Sequence, residues 1–271
     1  MKKVSVILTT YNSEDQLQEV LNSINNQEGR GELFEIELLV VDDCSTDNTK
    51  SILIKNNVGF QLTNYNTGGP NQGRNLALMQ CSGEYICIAD HDDIWFPNRI
   101  KKLLEICHLA PIVTSGYILS DDASLKQVAR VSKPKGVSGH LIYEKNETFL
   151  RKLAKSKSGQ QTYLGSILFH SSLKQILFEE EFGMIDFDWV LKLFHNKASV
   201  EVCSALYLRK VESDNLSLNE QYRINDYYYS LKTISVYKHE YSAEVICAEK
   251  RINGSLGRYY YLIGNMKLSR K

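Results

Sequence analysis

Apolar and polar positions follow two alternating periods along the first 110 residues. Val4 to Leu8 is a short β-branched run; Ser13-Glu14-Asp15-Gln16 then reads as a capping box, and Leu17, Val20, Leu21 and Ile24 recur at helical spacing. Ile36 to Val41 reads as a buried strand ending in Asp42 and Asp43, with Ser45 to Asp47 positioned to cap a helix carrying Ile52, Leu53 and Ile54. Val58 to Leu62 leads through a Gly-rich turn into a helix from Asn71 to Met79. Tyr85 to Ala89 leads through Asp90 to Asp93 into a helix opened by Pro97.

Four strand-then-helix units predict a parallel sheet covered on both faces, with ligands bound where loops converge at the carboxyl ends of the strands. Polar residues collect at those ends: Thr9 to Asn12, Asp42 and Asp43, and Asp90 to Asp93. Any one of these carboxylates could simply cap the next helix; three clusters at successive strand ends are harder to dismiss. Past Pro111, Ile112 to Leu119 reads as a strand and Ser132 to His140 as a loop. A short helix is expected over Phe149 to Ala154, a helix over Asp186 to Phe194, a strand over Val200 to Leu208, and Tyr-rich helix from Asn219 onward.

Composition narrows the function class. Lys plus Arg equals Asp plus Glu at 32 each, so no global field marks nucleic acid as a partner. No apolar run is long enough to span a bilayer, and Val4 to Leu8 is too short for a secretory signal, so a cytoplasmic location is expected. The six cysteines show no C-x-x-C spacing and no metal-type pairing with nearby histidines, so the expectation is buried, reduced thiols.

Gly68-Gly69-Pro70-Asn71-Gln72-Gly73-Arg74-Asn75 has the Gly spacing of a P-loop. Arg74 and Asn75 stand where Lys and Ser or Thr are required, and G-x-G-x-x-G is absent. Gly68 and Gly69 then serve mainly to turn the chain, while Arg74, on the first turn of a helix, is placed to pair with base, ribose or phosphate. Asp90-His91-Asp92-Asp93 puts three carboxylates within four residues after an apolar strand. Such acids repel one another unless a cation or basic group offsets them, and oxygen ligands suit Mg²⁺ or Mn²⁺. The rival reading is a solvated acidic turn.

Val4-Ser5-Val6-Ile7-Leu8-Thr9-Thr10-Tyr11-Asn12, Leu39 to Asp47, Gly73-Arg74-Asn75, and Gly83-Glu84-Tyr85-Ile86 with Asp90 to Trp95 together resemble the family 2 glycosyltransferases of the GT-A fold. The resemblance implies an α/β, Rossmann-like, mainly parallel sheet flanked by helices, with a C-terminal helical extension. It also implies an inverting, metal-dependent enzyme that moves a sugar from a nucleotide diphosphosugar, with UDP favoured by Asp43. The acceptor would be a hydroxyl of a glycan or lipid-linked saccharide in bacterial surface-polysaccharide synthesis. By position, Thr9 and Tyr11 would line the nucleoside pocket, Asp43 would accept from the uracil N3–H, and Arg74 would contact base or phosphate. Asp92 would be the direct ligand of Mn²⁺ or Mg²⁺, with Asp90 nearer the ribose and Asp93 a weaker candidate.

Gly183 to Leu193 resembles the family's second-half motif and puts Asp186 at the catalytic-base position, with Ile185 where the family often has Glu. Asp188 is the alternative acid; both suit the N-terminal end of a helix, and Asp186 is ranked first. Arg209-Lys210-Val211-Glu212 resembles a segment that approaches the diphosphate. Only Arg209 carries over, since Val211 stands where some members have His. The expected division is 1–110 for the nucleotide-sugar half, 111–217 for the acceptor and base half, and 218–271 for the helical region.

From Glu249 to Lys271, basic residues interleave with Tyr259, Tyr260, Tyr261, Leu262 and Ile263. This arm either touches an anionic membrane on its inner face or packs its tyrosines on the catalytic domain; the second reading is slightly preferred. Two rivals to a glycosyltransferase stand beside it. A sugar nucleotidyltransferase would need a Gly-rich basic loop after the first strand, where Thr9 to Ser13 stands. A non-catalytic binding or scaffold protein is disfavoured by Asp90, Asp92 and Asp186 and kept open by Ile185 and Val211.

Overall fold

The computed structural model describes residues 1–120, 128–136, 138–156, 158–210 and 219–269. The expected βα units form: β1 (Lys2–Thr10), α1 (Leu17–Asn25), β2 (Phe34–Asp42), α2 (Thr49–Lys55), β3 (Phe60–Leu62), α3 (Asn71–Gln80) and β4 (Tyr85–Ala89). Strands β3, β2, β1 and β4 lie side by side, all parallel. Alternate side chains supply the two faces. Val4, Val6 and Leu8 of β1 pack with Leu17, Val20, Leu21 and Ile24 of α1, while Ile7 packs on the other face with Ala77 and Leu78 of α3.

The remaining strands are β5 (Asp93–Trp95), β6 (Ile112–Ser120), β7 (Arg130–Ser132), β8 (His140–Tyr143), β9 (Leu168–His170) and β10 (Ser199–Lys210). The sheet runs β3-β2-β1-β4-β9-β6-β10-β5, with β7 on β6 and β8 on β10. Its expected parallel character holds for the first four strands and changes from there. Short β9 enters antiparallel to both β4 and β6, β10 is parallel to β6, and β5 and β8 are antiparallel to β10. This mixed α/β architecture, a central sheet flanked by helices, is of the kind the resemblance to the GT-A fold implies.

The later helices are α4 (Arg99–Ile106), α5 (Glu147–Leu153), α6 (Phe187–Phe194), α7 (Glu220–Ser235), α8 (Ser242–Leu262) and α9 (Met266–Ser269). Two helix starts differ from expectation. Ser13 forms no capping box: its hydroxyl donates to the Tyr11 carbonyl at 3.2 Å, Glu14 accepts from Asn48, and α1 begins at Leu17. Pro97 does not open α4; Asn98 precedes its first residue, and Asp93 already begins β5.

Ile234, Val245, Ala248 and Ile252 of α7 and α8 join the same apolar cluster as α5 and α6, so the C-terminal helices pack on the sheet domain. Tyr222, Tyr227, Tyr229, Tyr237 and Tyr241 lie against that cluster, while Tyr228 and Tyr261 are exposed. The thiols are free, but Cys247 is exposed and Cys44 half-buried, so burial is not general. Among the described residues, no helix is long and apolar enough to cross a membrane.

Candidate active site

The register of the parallel strands assembles the site. Thr10 lies opposite Asp42 and Leu8 opposite Ala89, so the ends of β1, β2 and β4 bring Thr9 to Asn12, Asp42 to Ser45 and Asp90 to Asp93 to one edge. Thr9 is buried beside Gly73 of α3, and Tyr11 is 44% exposed at the rim. Asp42 is an internal clamp: it accepts from the Thr10 hydroxyl at 2.9 Å, the Ser45 amide at 3.0 Å and the Ser45 hydroxyl at 2.5 Å. The Asn12 amide donates to Ser45 Oγ at 2.9 Å, and Asn12 Oδ1 accepts from the Thr46 amide at 2.9 Å, tying the first two loops together.

Asp43 is buried with its carboxylate already engaged. Oδ1 accepts from Thr63 Oγ1 at 2.8 Å and the Thr67 amide at 3.0 Å, and Oδ2 accepts from Thr67 Oγ1 at 3.1 Å. Each carboxylate oxygen accepts about two bonds, so any further donor to Asp43 would share it with Thr63 and Thr67. Sequence reasoning missed both threonines.

Arg74, on the first turn of α3, is buried. Its Nη2 donates to Asp90 Oδ1 at 2.8 Å and its Nη1 to Asn71 Oδ1 at 3.1 Å, and its guanidinium lies 5.4 Å from the Phe178 ring centre. Arg209 reaches the same acidic turn from β10. It pairs in register with Asp93, and its guanidinium stacks 4.3 Å from the Tyr163 ring centre. Burial pushes the Arg209 pKa down, but Tyr163, Asp93, Tyr207 and Asp90 outweigh it and the net direction is up, so the cation is held firmly. Asp93 itself is buried, and a Cβ on Gly165 would lie 2.4 Å from its carboxylate, so only glycine fits there. Burial, reinforced by Asp90 and Asp92, pushes the Asp93 carboxyl well above its ordinary range. That is the profile of an acid turned into the fold.

Asp90 and Asp92 are the half-exposed acids of the turn. Among the described residues no three His, Cys, Asp or Glu side chains converge to hold an ion alone. One or two carboxylate ligands beside open positions fit Mg²⁺ or Mn²⁺ completed by substrate phosphates and water.

Asp186 sits half-buried immediately before α6 and makes no side-chain cap bond. Asp188, in the first turn of α6, is buried, with Lys192 Nζ at 2.7 Å from its Oδ2 as an ion pair outside hydrogen-bond geometry. The loop before Asp186 is organised by Glu179, a buried carboxylate missed in the sequence. Its Oε1 accepts from the amides of Met184 at 3.0 Å and Ile185 at 2.8 Å, and its Oε2 accepts from Phe182 at 2.8 Å and Gly183 at 3.3 Å. Ile185, where the family often has Glu, is fully buried in the core.

Helix α3 binds that loop directly. Asn71 Nδ2 donates to Glu179 Oε1 at 3.1 Å and to the Ile185 carbonyl at 3.0 Å, and Asn75 Nδ2 donates to the Phe178 carbonyl at 3.0 Å and to Glu180 at 2.7 Å. Gly69 lets the preceding turn close on it, since a Cβ there would fall 2.2 Å from the Gly183 carbonyl oxygen. Phe178 stacks on Trp189 of α6 at 4.5 Å, and the indole N–H donates to the Ile176 carbonyl at 2.8 Å. One face of α3 therefore links the acidic turn to Asp186.

Residues 5–198 match the family described as Glycosyl transferase family 2. Over 105 residues the chain is 44% identical to the poly(ribitol-phosphate) β-N-acetylglucosaminyltransferase TarS of Staphylococcus aureus, covering 37% of this chain and 18% of that protein. It is 34% identical over 107 residues to the putative teichuronic acid biosynthesis glycosyltransferase TuaG of Bacillus subtilis, covering 38% of this chain and 40% of TuaG. The matches thus span well under two thirds of these curated relatives. The crystal structure of S. aureus TarS 1–349 in complex with UDP-GlcNAc superposes with a TM-score of 0.66 at 23% identity, covering 95% of this chain and 71% of that one. A mannosyltransferase from Pyrobaculum calidifontis, in complex with GDP-Man and Mn²⁺, gives a TM-score of 0.57 at 16% identity, covering 98% of this chain and 77% of that one. With the family match extending over most of its length, this chain belongs to glycosyl transferase family 2.

Proposed function

We propose that this chain is an inverting glycosyltransferase. It moves a sugar from a nucleotide diphosphosugar, UDP-linked by preference, to a hydroxyl of a glycan or lipid-linked acceptor in bacterial surface-polysaccharide synthesis. The observation that carries this reading is the span from Asp90 through Arg74, Asn71 and Glu179 to the loop bearing Asp186. That span joins the acidic turn after β4 to the loop before Asp186 through one face of α3, which supports leaving-group chemistry at the first and base chemistry at the second. The names of the similar proteins, surface-polymer glycosyltransferases and a UDP-GlcNAc complex, point the same way.

Thr9, Tyr11 and Asp43 line the nucleoside pocket, with Asp43 shared between Thr63, Thr67 and the base. Asp92, with Asp90 beside it, would hold a Mn²⁺ or Mg²⁺ ion, which would supply positive charge on the side of the departing diphosphate. Arg74 fixes the Asp90 carboxylate, and Arg209 adds a second fixed cation on the diphosphate side. Asp186 accepts the proton of the acceptor hydroxyl while the oxygen attacks the anomeric carbon. The carbon–oxygen bond to phosphate breaks, and its electron pair leaves on the diphosphate. Asp188 is spent on Lys192, which favours Asp186 as the base.

Residues 1–110 serve the donor, 111–217 the acceptor and base, and 218–271 form the helical region. Val211 and its neighbours 212–218 lie outside the described residues. The enzyme works in the cytoplasm, peripherally on the inner membrane face; Tyr261, Leu262 and Ile263, each more than half exposed at the end of α8 near Lys267, support that contact.

Calorimetric titration of UDP, GDP, CDP and dTDP, with and without Mn²⁺, tests the reading. The expected result is metal-dependent preference for UDP, lost in Asp92→Ala. Binding of none of the four would overturn it.

A further inference from the structure

Beyond the α5 end of the domain, α7 and α8 enclose a cleft of about 370 Å³, within the size range of small-ligand sites. Four cations line it, Lys155, Arg223, Arg251 and Arg258, against a single carboxylate, Asp226. None of the four has an acidic partner within ion-pair distance among the described residues. Solvated surface charges normally intersperse both signs; like charges converging on a concave wall instead repel one another and concentrate anions.

The walls are held open by the fold. Arg251 Nη1 donates to the Lys155 carbonyl at 2.7 Å, fixing α8 to the turn after α5, and the Tyr227 hydroxyl donates to Asn253 Oδ1 at 2.9 Å, joining α7 to α8. Gly254 lines the cleft where a Cβ would meet nothing within 4 Å. Arg223 Nε is buried with no hydrogen-bond partner, a donor left for an incoming acceptor atom.

The cleft adjoins the proposed base. Lys155 Nζ lies 3.7 Å from the ring centre of Phe187, the residue after Asp186. Tyr222, next to Arg223 on α7, feels the charges of both Asp186 and Asp226: burial, then these two carboxylates, push its phenol up. A ligand held by Arg223 and Lys155 is therefore presented to Asp186 from the side of the C-terminal helices.

We propose that this cleft binds a phosphate group carried by the acceptor and thereby sets the neighbouring acceptor hydroxyl against Asp186. The proposal rests on the glycosyltransferase reading above for the identity of the base. Guanidinium forks match phosphate oxygens bidentately, and the three arginines and one lysine supply donors well in excess of what one phosphate needs. Two sources share this chemistry, an internal phosphodiester of a polyol-phosphate chain and the terminal diphosphate of a lipid carrier.

Three probes titrated into the full chain separate the outcomes: a labelled ribitol-phosphate oligomer, farnesyl diphosphate in neutral micelles, and a neutral maltooligosaccharide. At least one phosphate probe is expected to bind and the neutral one not, and whichever phosphate probe binds identifies the source. Arg223→Gln should weaken that binding by about tenfold, as loss of one charge-assisted contact does, with UDP affinity unchanged. Arg258→Gln, at an exposed position, gives the same test if the first variant fails to fold. Failure of both phosphate probes, equal binding of the neutral oligomer, or unaltered affinity in the variants overturns the proposal. If UDP binds normally in the same preparation, only the acceptor inference falls. If phosphate probes bind and no nucleotide does, the cleft stands and the transferase reading falls.

Discussion

The Arg74 guanidinium donates to Asp90 at 2.8 Å while its other nitrogen holds Asn71 at 3.1 Å, so one buried cation ties the acidic turn after β4 to helix α3. Arg74→Lys keeps the charge but not the two-pronged geometry, and it loses the guanidinium's cation–π contact with Phe178. The expected effect is a fall of about ten- to a hundredfold in kcat/KM for the donor, with a cooperative unfolding transition retained. Steady-state kinetics with a UDP-sugar beside denaturant unfolding checks it; unchanged kcat/KM would show that the pair is dispensable.

Glu179 makes a different demand, because four backbone amides and Asn71 converge on its two oxygens. Glu179→Gln puts an NH₂ group where one set of those donors points, leaving buried amides without acceptors. The cost should be about 2–4 kcal/mol of stability. Since the loop it holds leads into Asp186, kcat should fall further than UDP affinity. Urea unfolding and calorimetry on the same variant separate the two effects, and a variant as stable as the parent would contradict the assignment.

Glu37 predicts part of the acid limb of stability. It accepts from Lys3 at 2.7 Å, Ser5 at 2.5 Å, and the amide and hydroxyl of Ser82 at 2.9 and 2.5 Å, fastening β2 to β1 and to the turn before β4. Burial alone would raise its pKa, but these donors together lower it from 4.5 to about 2. An acid with a depressed folded-state pKa contributes stability that is complete above its unfolded value and fades as pH falls toward its folded one. The contribution of Glu37 should thus be full near neutrality and fade between about pH 4.5 and pH 2. Glu37→Gln should be less stable than the parent near pH 7, with the two unfolding curves converging toward pH 2; a gap independent of pH would contradict this.

The sequence made the candidate chemical residues visible and hid those that hold them in place. Asp43, Asp90, Asp92 and Arg74 stand at strand ends or a helix start, where local pattern suffices to place them. Glu179 lies in the run Glu179-Glu180-Glu181, which reads as solvated surface; only its meeting with Asn71, 108 positions away, buries it. Strands β5 and β9 have three residues each, too few for a period to register, and their pairing with β10 and β4 depends on long-range register. The Ser13 capping signal was local and lost to the interlock of Asn12 with Ser45 and Thr46. The fold class was legible because four βα units repeat. The mixed second half, with β10 parallel to β6 and the short strands antiparallel, was not, because nothing in its strands' own patterns sets their direction.

Asp186 and Asp188 are two residues apart at the start of α6, and their surroundings assign them different tasks. Asp188 is buried and paired with Lys192, so Asp188→Asn removes an ion pair and should act mainly on stability. Asp186 is half-buried, has no cap bond, and borders Lys155, whose ammonium pKa burial lowers while Asp226 and Asp186 raise it. A general base contributes about 10²–10⁴-fold to turnover. Asp186→Asn should therefore cut kcat by at least about a hundredfold while UDP affinity stays within about twofold, because the substitution preserves shape at a site remote from the nucleoside. Single-turnover kinetics with calorimetric UDP titration on both variants distinguishes the roles. Loss of kcat in Asp188→Asn with normal turnover in Asp186→Asn would transfer the base to the second acid, and Lys192 would then become the residue that tunes it.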